Sequence, residues 1–164
     1  MPNDEWRTPS RYIESARKVL GKIDVDPASN DDAQNIVLAG TYYSKHGKVD
    51  CFTAPWTGRV WLNPPYSKEL VGKFVSEACR QYSMGIVTEA VVLTNNTPDT
   101  KWFAGTLALT ATAFCFVSPR IQFIPPAGTK RSSNSKGQVF SYLGKDPSKF
   151  IAEFKQYGMC VIPI

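Results

Sequence analysis

The sequence predicts an α/β fold, a mostly parallel mixed sheet with helices on both faces, in a single compact domain over residues 1–164. Three observations predict it. Strand-like and helix-like stretches alternate along the chain, the pattern left by crossover connections. Residues 89–95, Glu-Ala-Val-Val-Leu-Thr-Asn, are a near-continuous apolar run of strand length, as a parallel strand buried on both faces requires. Two further strand-like stretches end in residues that carry chemistry: 22–29 at Asp26-Pro27, and the stretch from Arg59 to Leu62 at Asn63-Pro64-Pro65-Tyr66. Doubly wound sheets bind ligands at the carboxyl ends of their strands.

With 164 residues, of which 43% are hydrophobic and 20% charged, the chain supports one substantial core and leaves no room for a second domain. No apolar run approaches the ~20 residues that cross a bilayer. Residues 1–5 are polar and acidic, unlike a signal peptide, so a cytoplasmic location is expected. Cys51, Cys79, Cys115 and Cys160 are widely spaced in sequence and His46 is the one histidine, so no metal site is expected. The cysteines read instead as small buried hydrophobes. A net charge of +5 favours a polyanionic partner.

Taken in order, Tyr12, Ile13, Ala16, Val19 and Leu20 recur at helical spacing over 10–20, with Ser10 as candidate cap and Gly21 as stop. Residues 22–29 form a short strand that breaks at Pro27, and Ser29 or Asn30 is placed to cap a helix over 31–38. Residues 40–58 are polar and aromatic, with short strands expected near Tyr42 and Cys51, and Asp50 reads as an exposed turn acid or, alternatively, as a holder of ribose hydroxyls. A helix over 68–83 presents Phe74, Ala78 and Tyr82 on one face. After 89–95, Asp99 or Thr100 caps a helix reaching Leu109, anchored by Trp102 and Phe103. Strands follow at 113–117, 138–143 and 159–164, with an amphipathic helix over 147–157. Residues 125–137 lack apolar periodicity and form a loop carrying Lys130, Arg131 and Lys136.

The stretch at 59–67 organises the rest. Pro64 and Pro65 have fixed φ and no N–H, and each holds its predecessor extended, so the strand stops in a rigid ledge. Asn63 adds an amide oxygen that accepts, and Tyr66 a flat aromatic face. The set suits a planar group bearing an NH₂: its two hydrogens go to the Asn63 oxygen and the Pro64 carbonyl, and its ring stacks on Tyr66. Asp24 and Asp26, at the end of the first strand beside a helix start, stand where such sheets hold an adenosine-containing cofactor, and carboxylates suit a sulfonium cation. A plain capped turn is the alternative there.

Asn63-Pro64-Pro65-Tyr66 resembles, without departure, the motif that S-adenosylmethionine-dependent amino-methyltransferases carry at the end of the fourth strand of a Rossmann-like sheet. The resemblance becomes more specific with the phage and prophage Dam-like DNA adenine N6-methyltransferases. Trp6-Arg7-Thr8-Pro9 is similar to their Trp-x-Thr-Pro, and Asp24-Val25-Asp26-Pro27-Ala28 to the stretch that replaces a glycine-rich turn. Asp99-Thr100-Lys101-Trp102-Phe103 and Arg120-Ile121-Gln122-Phe123 also resemble that group, the former in part.

The resemblance implies a Rossmann-like class I methyltransferase fold and S-adenosyl-L-methionine as cofactor, held by Trp6, Thr8, Pro9, Asp24, Asp26, Pro27, Ala28 and Asn63. It implies methylation of the N6 amine of an adenine flipped out of double-stranded DNA, with Asn63, Pro64, Pro65 and Tyr66 as catalytic residues and no metal. DNA contacts are expected from Arg120, Lys130, Arg131 and Lys136. Arg120 is equally readable as a loop anchor, and the basic loop as an ordinary surface loop. Two other functions stay open: methylation of RNA or of a protein glutamine, and a non-catalytic DNA-binding relative that lost the cofactor with its glycine-rich turn.

Overall fold

The computed structural model describes residues 6–130 and 134–164. Residues 1–5, together with Arg131, Ser132 and Ser133 of the basic loop, lie outside the described residues. In chain order the elements are α1 (Ser10–Leu20), β1 (Val25–Ser29), α2 (Asp31–Val37), β2 (Thr41–Ser44), β3 (Gly58–Leu62), α3 (Leu70–Ser83) and β4 (Val87–Asn95). A π-helical turn, Phe103–Leu107, then runs into α4 (Ala108–Thr110), followed by β5 (Ala113–Val117), β6 (Gln138–Leu143), α5 (Pro147–Phe154) and β7 (Gly158–Val161).

Among the described residues the strands form one sheet in the order β2-β1-β3-β4-β6-β5-β7. The β1–β2, β1–β3 and β3–β4 pairs are parallel. The pairs β4–β6, β5–β6 and β5–β7 are antiparallel, so β1 to β5 point one way while β6 and β7 are reversed. This is a mixed, Rossmann-like α/β sheet, as the alternation of elements predicts.

Both faces are covered. On one, α3 and the π-helical turn bury Phe74, Val75, Ala78, Phe103 and Leu107 against Val60, Leu62, Ala90 and Val92. On the other, α1 and α5 pack Tyr12, Ile13, Ala16, Phe150 and Phe154 against Trp61, Val91, Leu93 and Phe140. Successive residues of β4 thus enter opposite cores, which is why its sequence is apolar without alternation.

The topology reverses between β1 and β3: the chain leaves β1 through α2 to β2 on one side, and returns to lay β3 on the other. The crevice at the carboxyl ends of these strands is the switch point where such sheets bind ligands. Arg17 of α1 shapes one of its walls, donating from Nη1 to the Val37 carbonyl at 2.8 Å and from Nη2 to Ile36 at 2.7 Å. The end of α2 is thereby fixed against α1.

Several local expectations are corrected. Pro9, not Ser10, occupies the N-cap of α1, with no side-chain cap. Asn30 alone caps α2, accepting from the Ala33 N–H at 2.8 Å. Cys51 lies in a turn rather than a strand, because the Asp50 carboxylate accepts from the Phe52 N–H at 2.9 Å and curls the chain. The Asn-Pro-Pro-Tyr stretch therefore closes the third strand, not a fourth. Thr100 stands just before the helix, its carbonyl accepting from the Ala104 N–H at 2.9 Å, but its hydroxyl donates to the Thr97 carbonyl at 2.8 Å. The last strand ends at Val161. Widely spaced in sequence, Cys115 and Cys160 meet as direct partners across β5 and β7.

Candidate active site

A cavity of about 490 Å³ opens at the carboxyl ends of β1, β3 and β4. One end is formed by Asp26 and Ala28 of β1 with Asn30, Ala33, Ile36 and Val37 from α2 and its cap. The other is formed by Asn63, Pro64, Pro65 and Tyr66 after β3, facing Asn95, Phe123, Asn134, Lys136 and Gln138. Trp6, Arg7 and Thr8 also line the cavity.

Asp26 is 2% exposed. Burial pushes its carboxyl up to about 7, against the stabilising hydrogen bonds from Ser29, Ala28 and Gln34. Of these, Gln34 Nε2 donates to Oδ2 at 3.0 Å, while Gln34 Oε1 accepts from the Ala39 N–H at 2.9 Å. The carboxyl is aimed and held at the cavity wall, with apolar Ala33, Ile36 and Val37 beside it.

Asn63 is held differently. Its Nδ2 donates to Thr8 Oγ1 at 3.0 Å, and its Oδ1 is buried with no hydrogen-bond partner among the described residues. The Thr8 bond fixes which end of the amide faces the cavity, and that end is the acceptor. A buried acceptor without a partner costs roughly 1–3 kcal/mol, which a donor entering the cavity recovers. Thr8, only 4% exposed, is itself positioned by the backbone bridge between Arg7 and Ile124, whose two hydrogen bonds are 2.9 and 2.8 Å long.

Tyr66 is half-buried. Its ring meets Phe123 edge-on, with centroids 6.3 Å apart and planes at 75°, and its hydroxyl reaches the Leu93 carbonyl at 3.4 Å. Burial pushes the phenol well above the ordinary tyrosine range, so it stays neutral. Opposite stands a chain of three amides. Asn134 Nδ2 donates to Gln138 Oε1 at 2.7 Å and to the Ile121 carbonyl at 2.9 Å, and Gln138 Nε2 donates to Asn95 Oδ1 at 2.9 Å. Asn134 Oδ1 in turn accepts from the Lys136 N–H at 3.0 Å. These bonds fix each amide's direction and leave Asn95 Nδ2 without a partner among the described residues.

A sequence profile of the family DNA N-6-adenine-methyltransferase (Dam) matches residues 1–154. The chain belongs to this family. It is also 29% identical over 102 residues to a DNA N-6-adenine-methyltransferase of Escherichia phage T1, an alignment covering 61% of this chain and 39% of that protein. The match thus spans well under half of the phage protein. No solved structure matches.

Within this member of the Dam family, the residues expected from sequence divide. Trp6, Thr8, Asp26, Ala28, Asn63, Pro64, Pro65, Tyr66 and Lys136 converge on the cavity. Asp24, Pro9, Pro27, Arg120 and Lys130 are not in its wall, and Arg131 lies outside the described residues. Asp24 has a structural task instead. Its Oδ2 accepts from the Arg59 N–H at 2.8 Å and its Oδ1 pairs with Lys22 Nζ at 3.1 Å, joining β1 to β3. Gly58, at φ +102°, makes this approach feasible, since a Cβ there would lie 2.5 Å from Asp24 Oδ2.

Sequence reasoning missed Asn95 and Gln138, along with Ile36 and Val37. Asn95 ends an apolar strand and Gln138 begins one, so both read as ordinary strand boundaries; only the antiparallel pairing of β4 with β6 makes them neighbours. Among the described residues, no group of three His, Cys, Asp or Glu is placed to hold a metal ion, and no helix is long and apolar enough to cross a membrane.

Proposed function

We propose that the protein transfers a methyl group from S-adenosyl-L-methionine to the N6 amine of an adenine in DNA. The observation that carries this reading is Asn63: a buried amide oxygen with no partner among the described residues, its direction set by Thr8, beside the neighbouring Pro64 carbonyl. Such an acceptor suits an NH₂ group. When Asn63 Oδ1 and the Pro64 carbonyl accept hydrogen bonds from the two amine hydrogens, the nitrogen lone pair is drawn out of conjugation and aimed at its electrophile, and the proton the amine sheds on methylation passes to solvent.

The residues at the other end fit the cofactor. Asp26 supplies a carboxylate for a positively charged ligand, and Ala33, Ile36 and Val37 supply apolar surface for its adenosine. When bound there, S-adenosyl-L-methionine supplies an activated methyl group on a sulfonium centre. The protein's own share is positioning: Tyr66 stacks on the target base, and the ledge at Pro64 and Pro65 holds the amine in line. The unused hydrogens of Asn95 Nδ2 suit a ring nitrogen that accepts, as adenine offers beside its amine. A base stacked in a duplex hides that amine, so the target nucleotide is extruded to reach Asn63.

Radiolabelled cofactor offered to DNA, RNA and protein in parallel tests the reading. Label in the N6 position of adenine in DNA is the expected result. Label in RNA or a glutamine side chain keeps the chemistry and replaces the acceptor, while DNA binding without cofactor binding in calorimetry reduces the protein to a non-catalytic relative.

A further inference from the structure

A second groove, of about 400 Å³, adjoins the main cavity at Tyr66. Tyr66 and Asn95 line both this groove and the main cavity, so the two share a wall built from the ends of β3 and β4. Its other walls include the half-buried indole of Trp102 and the hydroxyl-bearing Thr97, flanked by Lys68 and Lys101. The two lysines come from separate segments, one following Asn-Pro-Pro-Tyr and one following β4. Both are exposed, and neither makes an ion pair among the described residues. Their acidic sequence neighbours, Glu69 and Asp99, are not in the groove wall. Thr97 Oγ1 also has no hydrogen-bond partner among the described residues.

We propose that this groove holds the nucleotide adjoining the target on the same DNA strand, its phosphates against Lys68 and Lys101 and its base against Trp102. The inference rests on the proposed function, since it is the target base in the main cavity that brings a neighbour to this position. A strand whose base enters past Tyr66 leaves the cavity on one side or the other of that ring. On this side it meets what single-stranded DNA requires, a flat aromatic surface flanked by positive charge. Aromatic stacking tolerates any base, so the groove holds the strand without reading its sequence, whereas the amides around Asn95 face the target itself. The groove is also well placed to keep the extruded nucleotide from returning to the duplex.

The test uses the full chain and a fluorescently labelled single-stranded oligonucleotide of mixed sequence, with anisotropy recorded over a salt series. The Lys68→Gln/Lys101→Gln double variant changes only exposed side chains. It should lower the slope of log affinity against log salt by about 1.4, since each phosphate contact to single-stranded DNA contributes about 0.7. Its affinity for S-adenosylmethionine should stay at the wild-type value. Trp102→Leu should weaken binding without changing the slope, and oligonucleotide should quench tryptophan emission less in this variant than in wild type. A double variant with the wild-type slope, in a protein that binds and methylates DNA, overturns the groove alone. Wild-type protein that binds no DNA overturns the groove and the proposed function together.

Discussion

The two ends of the cavity are built on opposite principles. At the β1 end the acid is bonded within the protein: Asp26 takes hydrogen bonds from Gln34 and Ala28, and Gln34 is itself tied to the Ala39 N–H. At the β3 end Asn63 Oδ1 is buried with no hydrogen-bond partner among the described residues. A saturated end suits a ligand recognised by charge and apolar contact, and an unsaturated end suits one recognised by the donors and acceptors it brings. Substitutions at the two ends should therefore separate cleanly, turnover at one and affinity at the other.

Asn63→Ala should give the largest effect, a loss in kcat of about 10²–10³ with cofactor affinity unchanged, the size seen when a preorganised polar group is removed from the reacting atoms. Near-normal turnover would remove Asn63 from the chemistry. Tyr66→Ala comes next. Base–aromatic stacking is worth about 1–3 kcal/mol, so activity should fall by roughly one to two orders of magnitude. Tyr66→Phe should retain most activity, because the hydroxyl makes only a 3.4 Å contact with Leu93. Equal losses in the two variants would assign Tyr66 to its hydroxyl instead of its ring.

At the saturated end the measurable is pH. Because burial raises the Asp26 pKa from 3.8 to about 7, its contribution to folding is fully present below 3.8 and is lost as pH rises through 7. Binding of a cation has the opposite sign, since it needs the carboxylate. Affinity for S-adenosylmethionine should rise up to tenfold per unit as pH increases toward 7 and then level off. Calorimetry across this range should find proton release below 7, and Asp26→Asn should both weaken binding and flatten the profile. A flat wild-type profile would place the cofactor's positive charge elsewhere.

Two smaller effects mark the boundaries of the comparison. Thr8→Val removes the hydroxyl that directs the Asn63 amide while keeping the shape. It should lower kcat about tenfold, the worth of one hydrogen bond, and Thr8→Ser should restore it. A loss confined to cofactor affinity would move Thr8 to the β1 end. Asp24→Asn should leave cofactor affinity alone. Burial opposes the Asp24 charge, yet the Arg59 N–H and Lys22 hold its carboxyl below the usual range, so the variant should lose stability only above the carboxylate range. Thermal unfolding at pH 7 and at acid pH reads this out; weakened cofactor binding in a stably folded Asp24→Asn would return it to the site.

Asp24 and Asp26 also mark how far the sequence is legible. Two acids one residue apart look equivalent in Asp-Val-Asp-Pro, and nothing local says that one is 2% exposed at a cavity while the other braces the neighbouring strand. That distinction depends on Gly58, thirty-odd residues later in the chain. The buried strand at β4 was legible because five consecutive buried residues from Ala90 to Thr94 leave little alternative. Asn63 to Tyr66 was legible because prolines dictate backbone shape by themselves. The π-helical turn at Phe103–Leu107 was not, since its hydrogen-bond offset is a single-turn departure with no residue signature of its own. The contact between Asn95 and Gln138 was hidden because strand pairing alone brings them together.

The strap formed by residues 6–9 has a consequence for how the protein's activity depends on order. Asn63 and Thr8 are separated by 55 residues in sequence, and among the described residues the strap's backbone is tied across to Ile124 by one pair of hydrogen bonds. A segment with so few ties opens locally at a small fraction of the free energy of global unfolding. Each time it opens, the Asn63 amide is free to rotate and the acceptor no longer points at the cavity. The fraction of molecules competent at any instant is therefore set by strap closure as well as by folding. On the proposed function, a ligand that settles against Trp6 and Thr8 from the cavity side would hold the strap down and keep the Asn63 acceptor pointed at the cavity.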